Sequence, residues 1–187
     1  SYIIMNIKSL TIYCSSSNNL DDEYYSCTRE ISKILSNYGI SVVYGGGQVG
    51  LMGELAKTSI KLGNKVVGII PEFLVDKEKA FFDDIDLKIV KNMQERKKLL
   101  FELGDGFLIL PGGTGTLEEL IEVISSKKLK LHNKPIIFFN LNNFWEPLFN
   151  QFEKIINNKF ANKNLQNLYE VIDNTDHLKE IIYSWKK

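Results

Sequence analysis

A glycine-rich segment from Gly112 to Thr116, followed closely by the carboxylate of Glu119, is the part of this sequence with the clearest chemical potential. Its glycines leave backbone amides uncovered by a Cβ, and its two threonines add hydroxyls. Where such a turn leads into a helix, the free amides and the positive end of the helix dipole form an anion site. We expect a phosphate there. The segment lacks the Gly-Lys-Ser/Thr ending of a P-loop, which argues against Mg-ATP chemistry.

The carboxylate of Glu119 is unexpected beside an anion site, because it would repel a phosphate unless it had another task. Gripping ribose hydroxyls and activating water are two such tasks. The alternative interpretation is that Glu118, Glu119 and Glu122 are ordinary acids at the start of a helix, where they complement its dipole. Arg96 and Lys97, further upstream, are similarly either ligand-binding cations or solvated surface residues.

A predicted strand and a predicted helix position the glycine-rich segment. Phe107 to Leu110 is a continuous apolar run, typical of a strand buried on both faces of a parallel sheet, and Pro111 ends it. Helical periodicity begins at Leu117. The apolar face that we expect to pack inward consists of Leu117, Leu120, Ile121 and Ile124.

A second strand, glycine turn and helix occur earlier in the chain. Ser41 to Tyr44 is a predicted strand, Gly45 to Gly50 is the turn, and Leu51 to Leu62 is a predicted helix. Three glycines of this turn fit the dinucleotide pattern GxGxxG, with Glu72 at a distance suited to a ribose. The match is weak, because that pattern normally follows the first strand of the fold. The alternative is that the glycines only allow a helix and a strand to pack closely.

Strands and helices alternate along the whole chain, which predicts a parallel sheet covered by helices on both sides. Such sheets bind ligands at the carboxyl ends of their strands. The loops Ser15 to Asn18, Gly45 to Gly50 and Pro111 to Thr116 should therefore share one rim, and the long polar segment Glu72 to Asp84 is a candidate lid. The residues predict a crevice for a phosphorylated, ribose-bearing small molecule. The other predicted strands are Lys8 to Cys14, Lys65 to Ile70, Asp86 to Val90, Pro135 to Phe139 and Tyr169 to Ile172, and the other helices are Asp21 to Tyr38, Asn92 to Leu103, Asn143 to Asn158 and Asp176 to Lys186.

Composition narrows the class of protein. The 187 residues fit one domain, 1–187, and the 23 basic and 23 acidic residues give no sign of a nucleic-acid footprint. Cys14 and Cys27 have no metal-ligand spacing, so we expect neither a disulfide framework nor a metal site, and a cytoplasmic location. No apolar run has membrane-spanning length, so no membrane association is expected. We expect Met5 to be the natural start and residues 1–4 to be an addition.

The motifs resemble those of the LOG family, the cytokinin riboside 5'-monophosphate phosphoribohydrolases, which are often labelled lysine decarboxylases. The family's Pro-Gly-Gly-x-Gly-Thr-x-x-Glu signature corresponds to Pro111 to Glu119, and its Gly-Gly-Gly-x-x-Gly-Leu-Met-Gly stretch corresponds to Gly45 to Gly53. A Met-x-x-Arg-Lys element corresponds to Met93 to Lys97. The resemblance covers most of the chain. One departure is Ser15, where many members have glycine.

The resemblance implies a Rossmann-like, doubly wound homodimer that hydrolyses the N-glycosidic bond of an adenosine 5'-monophosphate-type nucleotide, without a cofactor. It implies catalytic roles for Arg96 and Glu119. Cleavage of this bond passes through an oxocarbenium-like state, which a carboxylate can stabilise while it aligns water. The substrate-binding residues that the resemblance implies are Ser16, Gly46, Gly47, Met93, Lys97, Gly112, Gly113, Thr114, Gly115 and Thr116.

Two alternatives belong to other functional classes. One is a nucleotide-binding regulatory protein without catalysis, and the other is a dinucleotide oxidoreductase that uses the earlier glycine turn. The presence of both Arg96 and Glu119 favours the hydrolase, because a pure binding protein needs no carboxylate near a phosphate. The decarboxylase label has no support, since no lysine is marked out for a pyridoxal Schiff base. The sequence leaves open whether the base is adenine or an N6-prenylated adenine, and how Arg96 and Glu119 divide their roles.

Overall fold

Seven parallel strands form one sheet in the computed structural model of the protein, which describes residues 5–81 and 83–186. The strand order is β4-β3-β2-β1-β5-β6-β7. Residues 1–4, which we expect to precede the natural start, lie outside the described residues. The strands are β1 (Ser9–Tyr13), β2 (Ser41–Tyr44), β3 (Val66–Pro71), β4 (Asp86–Val90), β5 (Gly106–Ile109), β6 (Ile136–Phe139) and β7 (Glu170–Ile172).

Helices cover both faces of this sheet, as the alternation of elements predicts. The helices α1, α2 and α6 pack on one face and α3, α4 and α5 on the other, each burying apolar side chains against the strands. The doubly wound prediction is confirmed, and the ends of the elements lie within three residues of the predicted ones. The helices are α1 (Asp22–Asn37), α2 (Gly50–Lys61), α3 (Met93–Leu103), α4 (Thr114–Lys128), α5 (Glu146–Asn157) and α6 (Thr175–Trp185).

The topology creates a crevice between β1 and β5. The chain adds β2, β3 and β4 on one side of β1, then crosses to the other side to add β5. Tyr13 and Ile109 pair at the carboxyl ends of β1 and β5, so the loops that follow these two strands diverge from neighbouring points. This is a topological switch point, where open α/β sheets bind ligands.

Helix α4 differs from the sequence prediction in both its start and its exposed face. It begins at Thr114 and not at Leu117, because the Gly-Thr-Gly-Thr residues, although poor helix formers, are placed in the first turn by the surrounding fold. The glutamates therefore lie beyond the first turn, and dipole complementarity does not account for them. Leu117 and Ile121 are each 37% exposed, while the inward face is formed by Thr116, Leu120, Val123 and Ile124.

Every helix in the described part of the chain is too short or too polar to cross a bilayer.

Candidate active site

A cavity of about 280 Å³ lies at the carboxyl ends of the central strands, where the topology places a ligand site. It is walled by the loop after β1, the starts of α2, α3 and α4, and the segment after β3. Eight of the predicted site residues line it: Ser16, Met93, Arg96, Gly113, Thr114, Gly115, Thr116 and Glu119. The other lining residues, which we did not predict as site residues, are Cys14, Ser15, Ser17, Met52, Leu74 and Glu78.

Four predicted substrate-binding residues lie outside this lining. The ammonium of Lys97 is 3.0 Å from a carboxylate oxygen of Glu118 and 3.3 Å from one of Glu122, so Lys97 joins α3 to α4 on the protein surface. The remaining three are glycines. Gly46 and Gly47 pack closely against other parts of the chain, and Gly112 lines a second pocket next to the cavity, which is described below.

The N-terminus of α4 presents free backbone amides to the cavity. The first hydrogen bond inside the helix runs from the Leu117 amide to the Gly113 carbonyl at 3.0 Å. The preceding amides of Thr114, Gly115 and Thr116 therefore have no acceptor within the helix, and all three residues line the cavity. Together with the helix dipole they form an anion site of the kind that binds phosphate.

Gly112 is required by the path of the backbone into α4. A Cβ at this position would lie 2.1 Å from the Oγ1 atom of the buried Thr116 side chain, which is too close for any other residue. At Gly113 and Gly115 a Cβ would meet nothing within 4 Å. The need for glycine is thus steric at Gly112, whereas the other two glycines face open space at the cavity.

Glu119 is partly buried, and its Oε2 atom is fully buried without a hydrogen-bond partner among the described residues. Burial raises the pKa of this carboxyl group to about 7, although the positive charge of Arg96 acts in the opposite direction. The negative charges of Glu118 and Glu78 add to the increase. A buried, unpartnered carboxylate that titrates near neutrality is typical of a functional group held ready for a ligand.

Arg96 is 6% exposed, so the solvated interpretation of this residue is wrong. Its Nε atom donates to the Ile69 carbonyl at 3.0 Å, and Nη2 donates to the Gly45 carbonyl at 2.7 Å. Nη2 also donates to Oε2 of Glu78 at 3.1 Å. Nη1 makes no hydrogen bond to the described residues, so its two N–H groups are available to a ligand in the cavity.

Glu78 is the charged residue among the lining residues that sequence reasoning missed. It comes from the long segment between β3 and β4, which we predicted as a candidate lid, and its side chain is 13% exposed. This segment is held against the glycine turn after β2: the Gln48 amide donates to the Glu78 carbonyl at 2.9 Å, and the Phe81 amide donates to the Gly46 carbonyl at 2.9 Å. The length of the segment was the only sequence signal, and it did not single out Glu78 among the other acids.

The glycine turn after β2 is packed closely against other parts of the protein. A Cβ at Gly45 would lie 2.2 Å from Nη2 of Arg96, and one at Gly50 would lie 2.5 Å from the Ser17 carbonyl. Protein atoms thus lie where a side chain at these glycines would be, and Glu72 lies exposed in a short 3-10 helix outside the cavity. The close-packing interpretation of these glycines accounts for their positions.

An apolar pocket of about 270 Å³ adjoins the polar cavity and shares Ser15, Ser17 and Gly113 with it. Its other walls include the side chains of Leu20, Tyr24 and Phe144. A larger cleft of about 740 Å³ lies beside the end of α4, and none of the predicted site residues is among the described residues that line it. Its size alone does not make it a reaction site, because it lacks the buried carboxylate and the free amides.

The doubly wound parallel sheet, with a cavity and a helix N-terminus at its switch point, defines a protein of Rossmann-type fold. The sequence profile of a family described as "Possible lysine decarboxylase" matches residues 52–182. The cytokinin riboside 5'-monophosphate phosphoribohydrolase of Rhodococcoides fascians is 40% identical over 147 residues, which are 78% of this chain and 74% of that protein. The probable cytokinin riboside 5'-monophosphate phosphoribohydrolase LOG4 of Oryza sativa subsp. japonica is 32% identical over 172 residues, 92% of this chain and 75% of that protein. The chain belongs to the LOG family of phosphoribohydrolases and is an enzyme of that type.

A solved structure with a similar fold is the molybdenum cofactor carrier protein of Chlamydomonas reinhardtii, with a TM-score of 0.71 and 14% identity, covering 96% of this chain and 98% of that one. At this identity the similarity shows the fold alone. The decarboxylase description of the family profile does not fit the site, because none of the described residues that line the cavity is a lysine.

Proposed function

We propose that the protein hydrolyses the N-glycosidic bond of a nucleoside 5'-monophosphate with an adenine-type base, releasing the free base and ribose 5-phosphate. The observation that carries this proposal is the unpartnered, buried Oε2 atom of Glu119 in the same cavity as the free amides of α4. A protein that only bound a phosphorylated ligand would gain nothing from a buried carboxylate beside it. The names of the relatives, which describe phosphoribohydrolases of cytokinin riboside 5'-monophosphate, support the same reaction.

The phosphate of the substrate binds at the N-terminus of α4 in this proposal. The amides of Thr114, Gly115 and Thr116 donate to its oxygens, and the helix dipole favours its negative charge. Ser16, which lines the cavity on the opposite loop, adds a hydroxyl. These contacts fix one end of the nucleotide, so the ribose extends towards Glu119 one helical turn further along.

Glu119 acts on the bond between ribose and base. As this bond breaks, positive charge develops at the anomeric carbon, and the ionised Glu119 stabilises that charge and aligns a water molecule for attack. The water oxygen bonds to the anomeric carbon, its proton is released, and the departing base nitrogen takes up a proton. The free Nη1 donors of Arg96 hold the substrate, which separates the role of Arg96 from that of Glu119.

The apolar pocket beside the cavity supports an N6-substituted adenine as the preferred base. Its walls of Leu20, Tyr24 and Phe144 suit an apolar substituent and offer little to an unsubstituted amino group. AMP would occupy the polar cavity and leave this pocket to water. Both nucleotides are substrates in this proposal, and the substituted one binds more tightly.

Exposed apolar residues on α4 and on the loop that follows it favour a homodimer. Leu117 and Ile121 are each 37% exposed, and Leu129 and Leu131 are 68% and 70% exposed. Covering such residues with a second copy of the chain removes apolar surface from water. Because α4 also carries Glu119, this interface would lie near the site. The cytoplasmic location stays a prediction.

The test is to incubate the protein with AMP and, separately, with N6-isopentenyl-AMP, and to separate free base and ribose 5-phosphate by chromatography. Equal amounts of base and ribose 5-phosphate from either nucleotide would support the hydrolase. Tight binding of both nucleotides by calorimetry, without release of base, would support the regulatory binding protein instead.

A further inference from the structure

We propose that Glu78 is a positioning residue, which holds Arg96 at one wall of the cavity and thereby keeps Arg96 from pairing with Glu119. The roles of Arg96 and Glu119 in this inference rest on the function proposed above. The contacts among Glu78, Arg96 and the backbone do not depend on the substrate. Two carboxylates, Glu78 and Glu119, and one guanidinium line the same cavity. The guanidinium is paired with Glu78.

The hydrogen bonds of Arg96 to the described residues use Nε and Nη2 of its guanidinium group. Three of its five N–H groups donate to described residues: Nε to the Ile69 carbonyl, and Nη2 to the Gly45 carbonyl and to Glu78. The side chains of Arg96 and Glu78 are only 7% and 13% exposed, so water does not compete effectively for this pair. Of these three acceptors only Glu78 carries a charge, and it is opposite to that of Arg96.

Backbone hydrogen bonds hold Glu78 in place on both sides of the residue. The Glu78 amide donates to the Leu74 carbonyl at 2.8 Å, and its carbonyl accepts from Gln48 at 2.9 Å. A Cβ at Gly47 would lie 2.9 Å from the Glu78 carbonyl oxygen, so the glycine turn after β2 allows this close approach. The segment after β3 is thus docked where it delivers a carboxylate to Arg96.

In this proposal Glu119 is unpaired because the contact with Glu78 fixes where the guanidinium lies, and not because Arg96 lacks free donors. If the charge of Glu78 were lost, Glu119 would be the one anionic group left among the described residues that line the cavity. An ion pair with Arg96 would occupy the oxygen that is now free and favour the ionised form of Glu119. Glu119 would then be less basic and less available to align water.

The other titratable groups around Glu119 do not take part in this exchange. Lys97 is already paired with Glu118 and Glu122, and burial raises the pKa values of the Tyr13 hydroxyl and the Cys14 thiol, so both stay neutral near pH 7. Loss of Glu78 therefore changes chiefly the electrostatic interaction between Arg96 and Glu119. The charges that act on the Glu119 carboxyl group belong to Arg96 and Lys97 on α3, Glu118 on α4 and Glu78 after β3. The charge of Glu119 in turn acts on Tyr13 at the end of β1 and on Cys14 directly after it.

The test is to titrate Glu119 in the Glu78→Gln variant and to monitor the titration by carboxyl ¹³C NMR. The spectrum of Glu119→Gln assigns the signal of Glu119. We expect the midpoint of Glu119 to fall by about one pH unit. We also expect kcat for AMP-type substrates to fall at least tenfold and the acidic limb of the pH–rate profile to move to lower pH. Asp76→Asn, an exposed change of the same charge in the same segment, is the matched control and should leave both measurements unchanged.

A second variant separates positioning from the mere loss of a charge and covers the case that Glu78→Gln does not fold. Gly45→Ala introduces a Cβ 2.2 Å from Nη2 of Arg96 and displaces the guanidinium without changing any charge. We expect the midpoint of Glu119 to fall in this variant too. An unchanged midpoint in the folded variants would overturn the role of Glu78, whether or not the wild type releases base. A wild type that releases no base would overturn the hydrolase proposal alone.

Discussion

Glu118 and Glu119 are adjacent in the chain, yet helix α4 directs them to different surroundings. An Oε1 atom of Glu118 lies 3.0 Å from the Lys97 ammonium on the surface, where the Glu118 side chain is 60% exposed. Glu119 lines the cavity, and its Oε2 atom is buried. A helix rotates by about 100° per residue, so only one of two neighbouring side chains can face the ligand. This difference makes Glu118 a natural control for Glu119.

The first prediction concerns the pH dependence of the reaction. Burial raises the pKa of Glu119 to about 7, and the proposed mechanism uses its ionised form. Below pH 7 the carboxyl group is protonated, so kcat/KM should fall by about tenfold for each pH unit as the pH decreases. A pH profile of base release measures this midpoint. The profile should be recorded from about pH 5 to about pH 8, which spans the expected midpoint. A flat profile over this range would contradict the role of the ionised form.

The second prediction concerns the entry into α4. Gly112→Ala places a Cβ 2.1 Å from Oγ1 of Thr116, so it should lower the free energy of unfolding by about 1–3 kcal/mol and weaken phosphate binding. Gly115→Ala meets nothing within 4 Å and should stabilise the first helical turn by about 0.5–1 kcal/mol. Denaturant unfolding and calorimetry with inorganic phosphate measure both effects. Equal stability of the two variants would contradict the steric explanation.

The third prediction concerns the apolar pocket. Leu20→Asn removes apolar contact area beside the proposed N6 substituent, so it should raise KM for N6-isopentenyl-AMP by about tenfold, or about 1.4 kcal/mol. The KM for AMP, which leaves the pocket to water, should change less than about twofold. Steady-state kinetics with both nucleotides provides the comparison. A parallel increase for both would show that Leu20 supports the shared part of the site.

The fourth prediction concerns the assembly. Ile121→Lys places a charge in the exposed apolar surface of α4 and should dissociate a homodimer into monomers, because a charge is costly to bury at an interface. The control is Leu62→Lys, at the end of α2 on the other face of the sheet, where the wild-type leucine is 45% exposed. Light scattering at micromolar concentration measures the mass of each. A wild type that is monomeric in this measurement would refute the homodimer.

Sequence reasoning located the fold and most of the cavity, because both depend on local patterns. Apolar runs and glycine turns predicted the strands around Tyr13 and Ile109, and the order of the elements placed the loops that follow them on one rim. The start of α4 at Thr114 was missed because the surrounding fold overrides a low helix propensity. The partner of Arg96 was missed for a different reason. Glu78 reaches it through the path of a connecting segment, which periodicity does not describe.

The last prediction separates the enzyme from a binding protein and uses the difference between neighbouring glutamates. Glu119→Gln keeps the shape and most of the hydrogen-bonding capacity of the side chain but removes its charge. If Glu119 stabilises charge at the anomeric carbon, single-turnover release of base should fall by about a hundredfold or more, equivalent to at least 2.7 kcal/mol of transition-state stabilisation. Affinity for AMP, measured by calorimetry, should survive, because the amides of Thr114 to Thr116 still bind the phosphate.

Glu118→Gln is the matched control for this experiment. It removes the same charge from the adjacent position, but it breaks only an ion pair with Lys97 on the surface, which contributes about 0–1 kcal/mol to stability. Its rate of base release should stay within about twofold of wild type, since the cavity keeps its carboxylate and its amides. Equal rates in wild type and both variants would remove Glu119 from the reaction. A large loss in both variants would mean that the charge of the whole helix matters, and not the group that faces the substrate.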